Sequence, residues 1–128
     1  MARIEEHDIS WVAHSDPDFP LALNLCPDAP LVLFSSGQPF PNTTRVISIV
    51  GTRQPSADGK AFVRQLVESL APYRPIIVSG FAYGIDIAAQ LAAVENNLIT
   101  YGCLGHGILN CYPLSLIHIS EPTRQASI

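Results

Sequence analysis

Long apolar runs, positive charge and cysteine are all scarce in this sequence, and each scarcity excludes a class of protein. The chain of 128 residues is 48 % apolar, yet its apolar runs are too short to cross a bilayer. No basic stretch followed by an apolar run and a small-residue cleavage site opens it, so a secretory leader is not expected and the cytoplasm is the expected compartment. Three cysteines at irregular spacing fit reduced thiols better than a disulfide framework. Only 14 % of residues are charged, and 7 Lys and Arg against 11 Asp and Glu give a net charge of −4, which argues against bulk attraction to nucleic acid. The length allows one domain at most.

What is present is one scheme used three times. Val46, Ile47, Ser48, Ile49 and Val50 form an apolar, largely β-branched run that stops at Gly51, Thr52 and Arg53. It reads as a strand buried on both faces that delivers a binding loop. Ile76, Ile77 and Val78 lead in the same way into Ser79 and Gly80, and Leu98, Ile99, Thr100 and Tyr101 lead through Gly102 to Gly105, His106 and Gly107. Between the first two runs the spacing predicts a helix over 57–71, with Phe62, Val63, Leu66, Val67 and Leu70 on one stripe, Ser56 as its N-cap and Pro72 as its stop. A second helix is expected through 87–94, ending at Asn96 and Asn97, one of which suits a left-handed capping position. The order β-α-β-α-β with short connections predicts an α/β fold with a parallel sheet and right-handed crossovers.

Upstream, residues 1–41 hold Pro17, Pro20, Pro27, Pro30, Pro39 and Pro41 and show no sustained period. They read as a packed, turn-rich arm in which Leu31, Val32, Leu33 and Phe34 make a short strand. Nothing before Arg3 introduces an element, which suits a fragment of a longer protein. Charge is uneven along the chain. Residues 1–44 carry one base against six acids, 45–74 five bases against two acids, and 75–128 one base against three acids. The middle segment is therefore locally positive and able to hold a phosphate chain on an acidic protein, although a solvated helix face is the plainer reading.

In a parallel sheet the carboxyl ends of the strands share one edge, and the helix N-termini point toward it with free N–H groups. Gly51, Thr52 and Arg53, then Ser79, Gly80, Phe81, Ala82, Gly84 and Asp86, then Gly105 and Gly107, are expected to converge there on an anion, most simply a phosphate. Arg53 can fork onto two phosphate oxygens while Gly51 and Gly80 let the backbone approach. The alternative is that Arg53 pairs with an acid such as Asp86 and ties two loops together. Asp86 opens a helix, where a carboxylate stabilises the N-terminus as readily as it meets a ligand. Phe81 or Tyr83 is a candidate for stacking on a base. The Gly80 to Gly84 spacing lacks the dinucleotide fingerprint, and no acid follows the first loop at the offset of about twenty residues that a ribose would need. Cys103, His106 and Cys111 are too few and too irregular for structural zinc, and no nucleophile and base stand out as a pair. No cofactor, metal or catalytic residue is expected.

These residues resemble a known family. Ile49 to Arg53, the block from Ser79 to Ala89, and Gly105, His106, Gly107 and Ile108 followed by Tyr112 and Pro113 are similar to the DNA-processing protein A family, also called Smf. Asp18, Phe19 and Pro20, with Pro30 to Phe34, resemble the segment before that family's Rossmann-like domain. The resemblance covers about residues 10–113. It implies a proline-rich arm over 1–44 and the first β-α-β-α-β half of a Rossmann-like domain over 45–113. It also implies binding of single-stranded DNA, protection of incoming strands during natural transformation, and transfer of those strands to the recombinase RecA, with no enzymatic activity. The loops named above would line the DNA pocket, and the full-length parent is implied to form a homodimer.

Two departures qualify the resemblance. The family usually has histidine where this chain has Gln90, and nothing after Pro113 matches its continuation, an Arg-Asn-Arg block and further strands. Residues 114–128 read as a non-native tail, translated from a sequencing adapter, and are expected to be disordered or packed without a consistent partner. Two other classes stay open: a nucleoside-monophosphate phosphoribohydrolase, which would need a Pro-Gly-Gly-x-Gly-Thr loop that this chain lacks, and a Rossmann-like sensor of small nucleotides. Three strands and two helices alone would leave a sheet edge and an apolar face uncovered.

Overall fold

The β-branched run at 46–50 makes the first parallel strand, and the two helices after it return the chain to the same starting edge. The computed structural model describes residues 2–4, 9–37, 40, 45–104 and 125–127. Its elements are β1 (Ala2–Ile4), β2 (Ile9–Ala13), a single helical turn α1 (Leu21–Asn24), β3 (Val32–Gly37), β4 (Val46–Ser48), α2 (Ala57–Leu70), a 3-10 turn (Ala71–Tyr73), β5 (Ile76–Ser79), α3 (Ile85–Glu95), β6 (Thr100–Gly102) and β7 (Gln125–Ser127). One sheet holds all the strands in the order β1-β2-β3-β7-β6-β5-β4.

Strands β4, β5 and β6 are parallel neighbours, with Val46 beside Ile76 and Ile77 beside Thr100. The ladder runs past the strand ends, since Ile49 N–H donates to the Val78 carbonyl at 2.9 Å and Cys103 N–H to the Ser79 carbonyl at 2.7 Å. This is the Rossmann-like half that the sequence predicts. Two crossovers of one hand in sequential order put both helices on one face, where α2 packs on α3. Val63, Val67, Ile49, Ile77, Ala89, Ala92, Ala93 and Leu98 form the core between them and the sheet. On the opposite face Phe40 covers Tyr101, with ring centroids 4.8 Å apart, beside Ile76.

Helix α2 begins as predicted: the Ser56 hydroxyl accepts from Gly59 N–H at 3.1 Å. It ends at the 3-10 turn containing Pro72, and Arg74 leaves it at φ 51°. Phe62, expected on the buried stripe, is exposed instead, because the turn of α2 that carries Val63 and Val67 faces α3 and the sheet. Helix α3 closes at Asn96, and Asn97 takes the left-handed position at φ 58°.

Three expectations need correction. Residues 1–41 are more than a turn-rich arm: β1 and β2 pair antiparallel with each other, and β2 with β3, so the segment adds a meander to the sheet, anchored by the fully buried Phe19. Strand β4 is not buried on both faces. Among the described residues it lies at the end of the sheet with one neighbour, and Val50 beyond it is 74 % exposed. Residues 125–127, expected to lack a consistent partner, pair parallel with β6 and antiparallel with β3. A main-chain ladder demands little of side chains, so an extended segment can fill the gap between two open edges. Residues 105–124, including most of the tail, lie outside the described residues.

Candidate nucleic-acid interface

The carboxyl edge of β4, β5 and β6 brings two of the three predicted loops together. The first loop follows β4 with Gly51, Thr52 and Arg53 exposed. The second follows β5 and enters α3 at Ile85, whose N–H donates to the Thr52 carbonyl at 3.1 Å. Gly105 and Gly107, and with them His106 and Cys111, lie outside the described residues.

What joins the loops is a carboxylate. Asp86, buried in the first turn of α3, accepts from Gly51 N–H through Oδ1 at 3.2 Å and from Gly80 N–H through Oδ2 at 3.1 Å. The free N–H groups that were expected to cradle an external anion thus already hold an internal one, next to a helix N-terminus that favours negative charge. These contacts give Asp86 a structural role in the first turn of α3. It also answers for Arg53: Asp86 is engaged by main-chain N–H groups and makes no ion pair with it, and among the described residues the exposed Arg53 guanidinium forms no hydrogen bond or ion pair.

The glycines are explained by the same packing. A Cβ on Gly51 would lie 2.7 Å from the Ile85 side chain, and one on Gly80 would lie 2.6 Å from Asp86 Oδ2. Gly84, at φ 94° and ψ −126°, presses its backbone against Thr52 and Arg53 in a conformation that side chains resist. At these three positions the missing side chain admits a neighbouring loop or side chain.

Other predicted residues are likewise turned inward. The Ser79 hydroxyl, almost fully buried, donates to the Ile49 carbonyl at 2.5 Å. Phe81 sits at φ 56° with its ring buried against Gly102, which removes it as a stacking partner. Its N–H donates to Gln90 Oε1 at 3.2 Å, and Gln90 Nε2 donates to the Tyr101 carbonyl at 3.2 Å. Gln90 is fully buried and bridges the second loop to β6 with one acceptor and one donor. A neutral imidazole also offers one of each, so the family's histidine and this glutamine can serve the same bridge. Sequence reasoning gave Gln90 no role; the signal was a lone amide among alanines and leucine in α3. Tyr83 stays half exposed beside Gly84. Ala82, between Phe81 and Tyr83, is half-buried.

The five bases of the positive segment do not form one patch. Arg45 and Arg74 precede β4 and β5 at the amino edge, where Arg45 donates to the Tyr73 carbonyl at 3.1 Å. Arg53, at the carboxyl edge, precedes the Ser56 cap of α2 by three residues, and Lys60 and Arg64 follow on that helix. No group of three or more metal-ligating side chains occurs among the described residues.

Residues 10–126 match the family model for DNA recombination-mediator protein A. The chain belongs to this family. It is 32 % identical over 122 residues to the DNA processing protein DprA of Bacillus subtilis (strain 168), a match covering 94 % of this chain and 41 % of that protein. It is 33 % identical over 95 residues to protein Smf of Escherichia coli (strain K12), covering 74 % of this chain and 25 % of that one. The crystal structure of DNA processing protein A from Streptococcus pneumoniae superposes with a TM-score of 0.77 at 30 % identity, over 93 % of this chain and 43 % of that one. DNA processing protein A from Helicobacter pylori, described for its single-stranded DNA binding mode, shares the fold at a TM-score of 0.69 and 23 % identity, over 95 % of this chain and 56 % of that one. The chain therefore spans about two fifths of the Bacillus subtilis protein and of the Streptococcus pneumoniae chain. As a member of the recombination-mediator family it places the two glycine-rich loops at the carboxyl edge of a Rossmann-like half.

Proposed function

We propose that this chain carries the strand-binding loop of a protein that binds single-stranded DNA during DNA uptake, protects the incoming strand and passes it to RecA, acting as a binding protein rather than an enzyme. The observation that carries the reading is Arg53: an exposed guanidinium without a partner among the described residues, on a loop held rigid by Asp86. Phosphates carry no base information, so contact through Arg53 gives sequence-blind binding, and the half-exposed ring of Tyr83 is our candidate for stacking on a base. Membership in a DNA recombination-mediator family and the likeness to proteins named for DNA processing support nucleic acid as the partner. The transfer to RecA and the dimer rest on the family resemblance alone.

The test is Arg53→Ala in the intact protein, titrated with a labelled oligonucleotide over a range of salt. Loss of one charged hydrogen-bonding contact is expected to weaken binding by about 1.5–3 kcal/mol and to flatten the salt slope by about 0.7. Unchanged affinity and slope would remove Arg53 from the site.

A further inference from the structure

A groove of ≈ 480 Å³ runs between α2 and α3 on the outer side of the helical layer, and Gly84 borders both it and the Arg53 loop. Its lining includes Tyr83, the apolar Ile87 and Leu91, and the charged Lys60, Arg64 and Glu95. Lys60 and Arg64 are exposed and form no ion pair among the described residues. Four residues apart on one helix, they share a face and stand about 6 Å apart along its axis. Two cations so spaced on one helix face can meet neighbouring phosphates of one strand.

We infer that this groove is a second stretch of the single-strand path: DNA held at Arg53 turns past Tyr83 and lays its next phosphates along Lys60 and Arg64. The inference rests on the reading of Arg53 above and extends it to residues outside the glycine loops. Three features favour a nucleic-acid strand as the occupant. The cations continue from Arg53 down the first turns of α2, the half-exposed ring of Tyr83 lines the groove, and the apolar Ile87 and Leu91 can take a base or sugar face. Glu95, the single acid lining the groove, marks where the path should end.

The experiment uses the intact protein and two thymidine oligonucleotides, of about 5 and about 16 nucleotides, spanning the usual site sizes for such binding. Lys60→Gln with Arg64→Gln is expected to weaken the long oligonucleotide roughly tenfold and flatten its salt slope by about 1.4, while leaving the short one unchanged. Glu95→Gln is expected to tighten the long one only. Equal loss at both lengths would reduce the two cations to a general field, and no loss at either would overturn the path. Arg53→Ala separates the two readings, since it weakens both lengths if the primary site is right and neither if it is wrong, whatever the groove variants do.

Discussion

At the scale of single residues, Asp86 does work that a sequence motif tends to credit to glycine. Its two oxygens hold Gly51 and Gly80, and with them both loops of the site. Hydrogen bonds to a charged group contribute about 1.5–3 kcal/mol each, so Asp86→Ala is expected to lower stability by about 3 kcal/mol or more, measured as the free energy of denaturant unfolding. Asp86→Asn keeps one acceptor and should lose less. Arg53→Ala should weaken DNA binding and leave that free energy within about 0.5 kcal/mol, as for an exposed side chain without a partner. The positions of the glycines were legible in the sequence, but their purpose was not. A missing Cβ says that something comes close, and only the fold reveals that Ile85 and the Asp86 carboxylate are what come close.

At the scale of elements, local chemistry was legible and long-range pairing was not. Ser56 caps α2 because a hydroxyl three residues before a free N–H suffices, and no distant partner is needed. Strand β2 escaped notice because the run Ile9, Ser10, Trp11, Val12, Ala13 is stabilised by pairing with β3, whose partner residues lie far along the chain, from Ala13 with Val32 to Ile9 with Ser36. The edge position of β4 has the same cause, since nothing in its own residues states how many neighbours it has. Gln90 shows what a non-local bond is worth. Gln90→Leu would leave the Phe81 N–H and the Tyr101 carbonyl unpaired, at about 1–3 kcal/mol for each, whereas Gln90→His is expected to stay closer to the parent in a thermal melt.

At the scale of the whole molecule, the two faces of the sheet differ in what they ask of solvent conditions. The helical face is apolar, while the other holds Tyr101, whose phenol is pushed up to about 12 by burial. Folded chains keep the phenol protonated where unfolded chains begin to lose the proton near pH 10. The unfolded state therefore binds fewer protons between about pH 10 and 12, and stability should be full below that window and fall as pH rises through it. Tyr101→Phe should remove this share of the alkaline loss, measured as the difference between the two proteins' unfolding free energies at pH 9 and pH 11.

The Asp86 clasp has one more consequence, and it concerns time. Loops that must first be ordered by their ligand charge that ordering against affinity and can show it as a slow step after encounter. Here the first loop is tied to α3 before any strand arrives, so capture at Arg53 should proceed as a single concentration-dependent phase in stopped-flow mixing. With Asp86→Asn a second, concentration-independent phase should emerge, because one of the two tethers is gone and the loop must be set by the DNA itself.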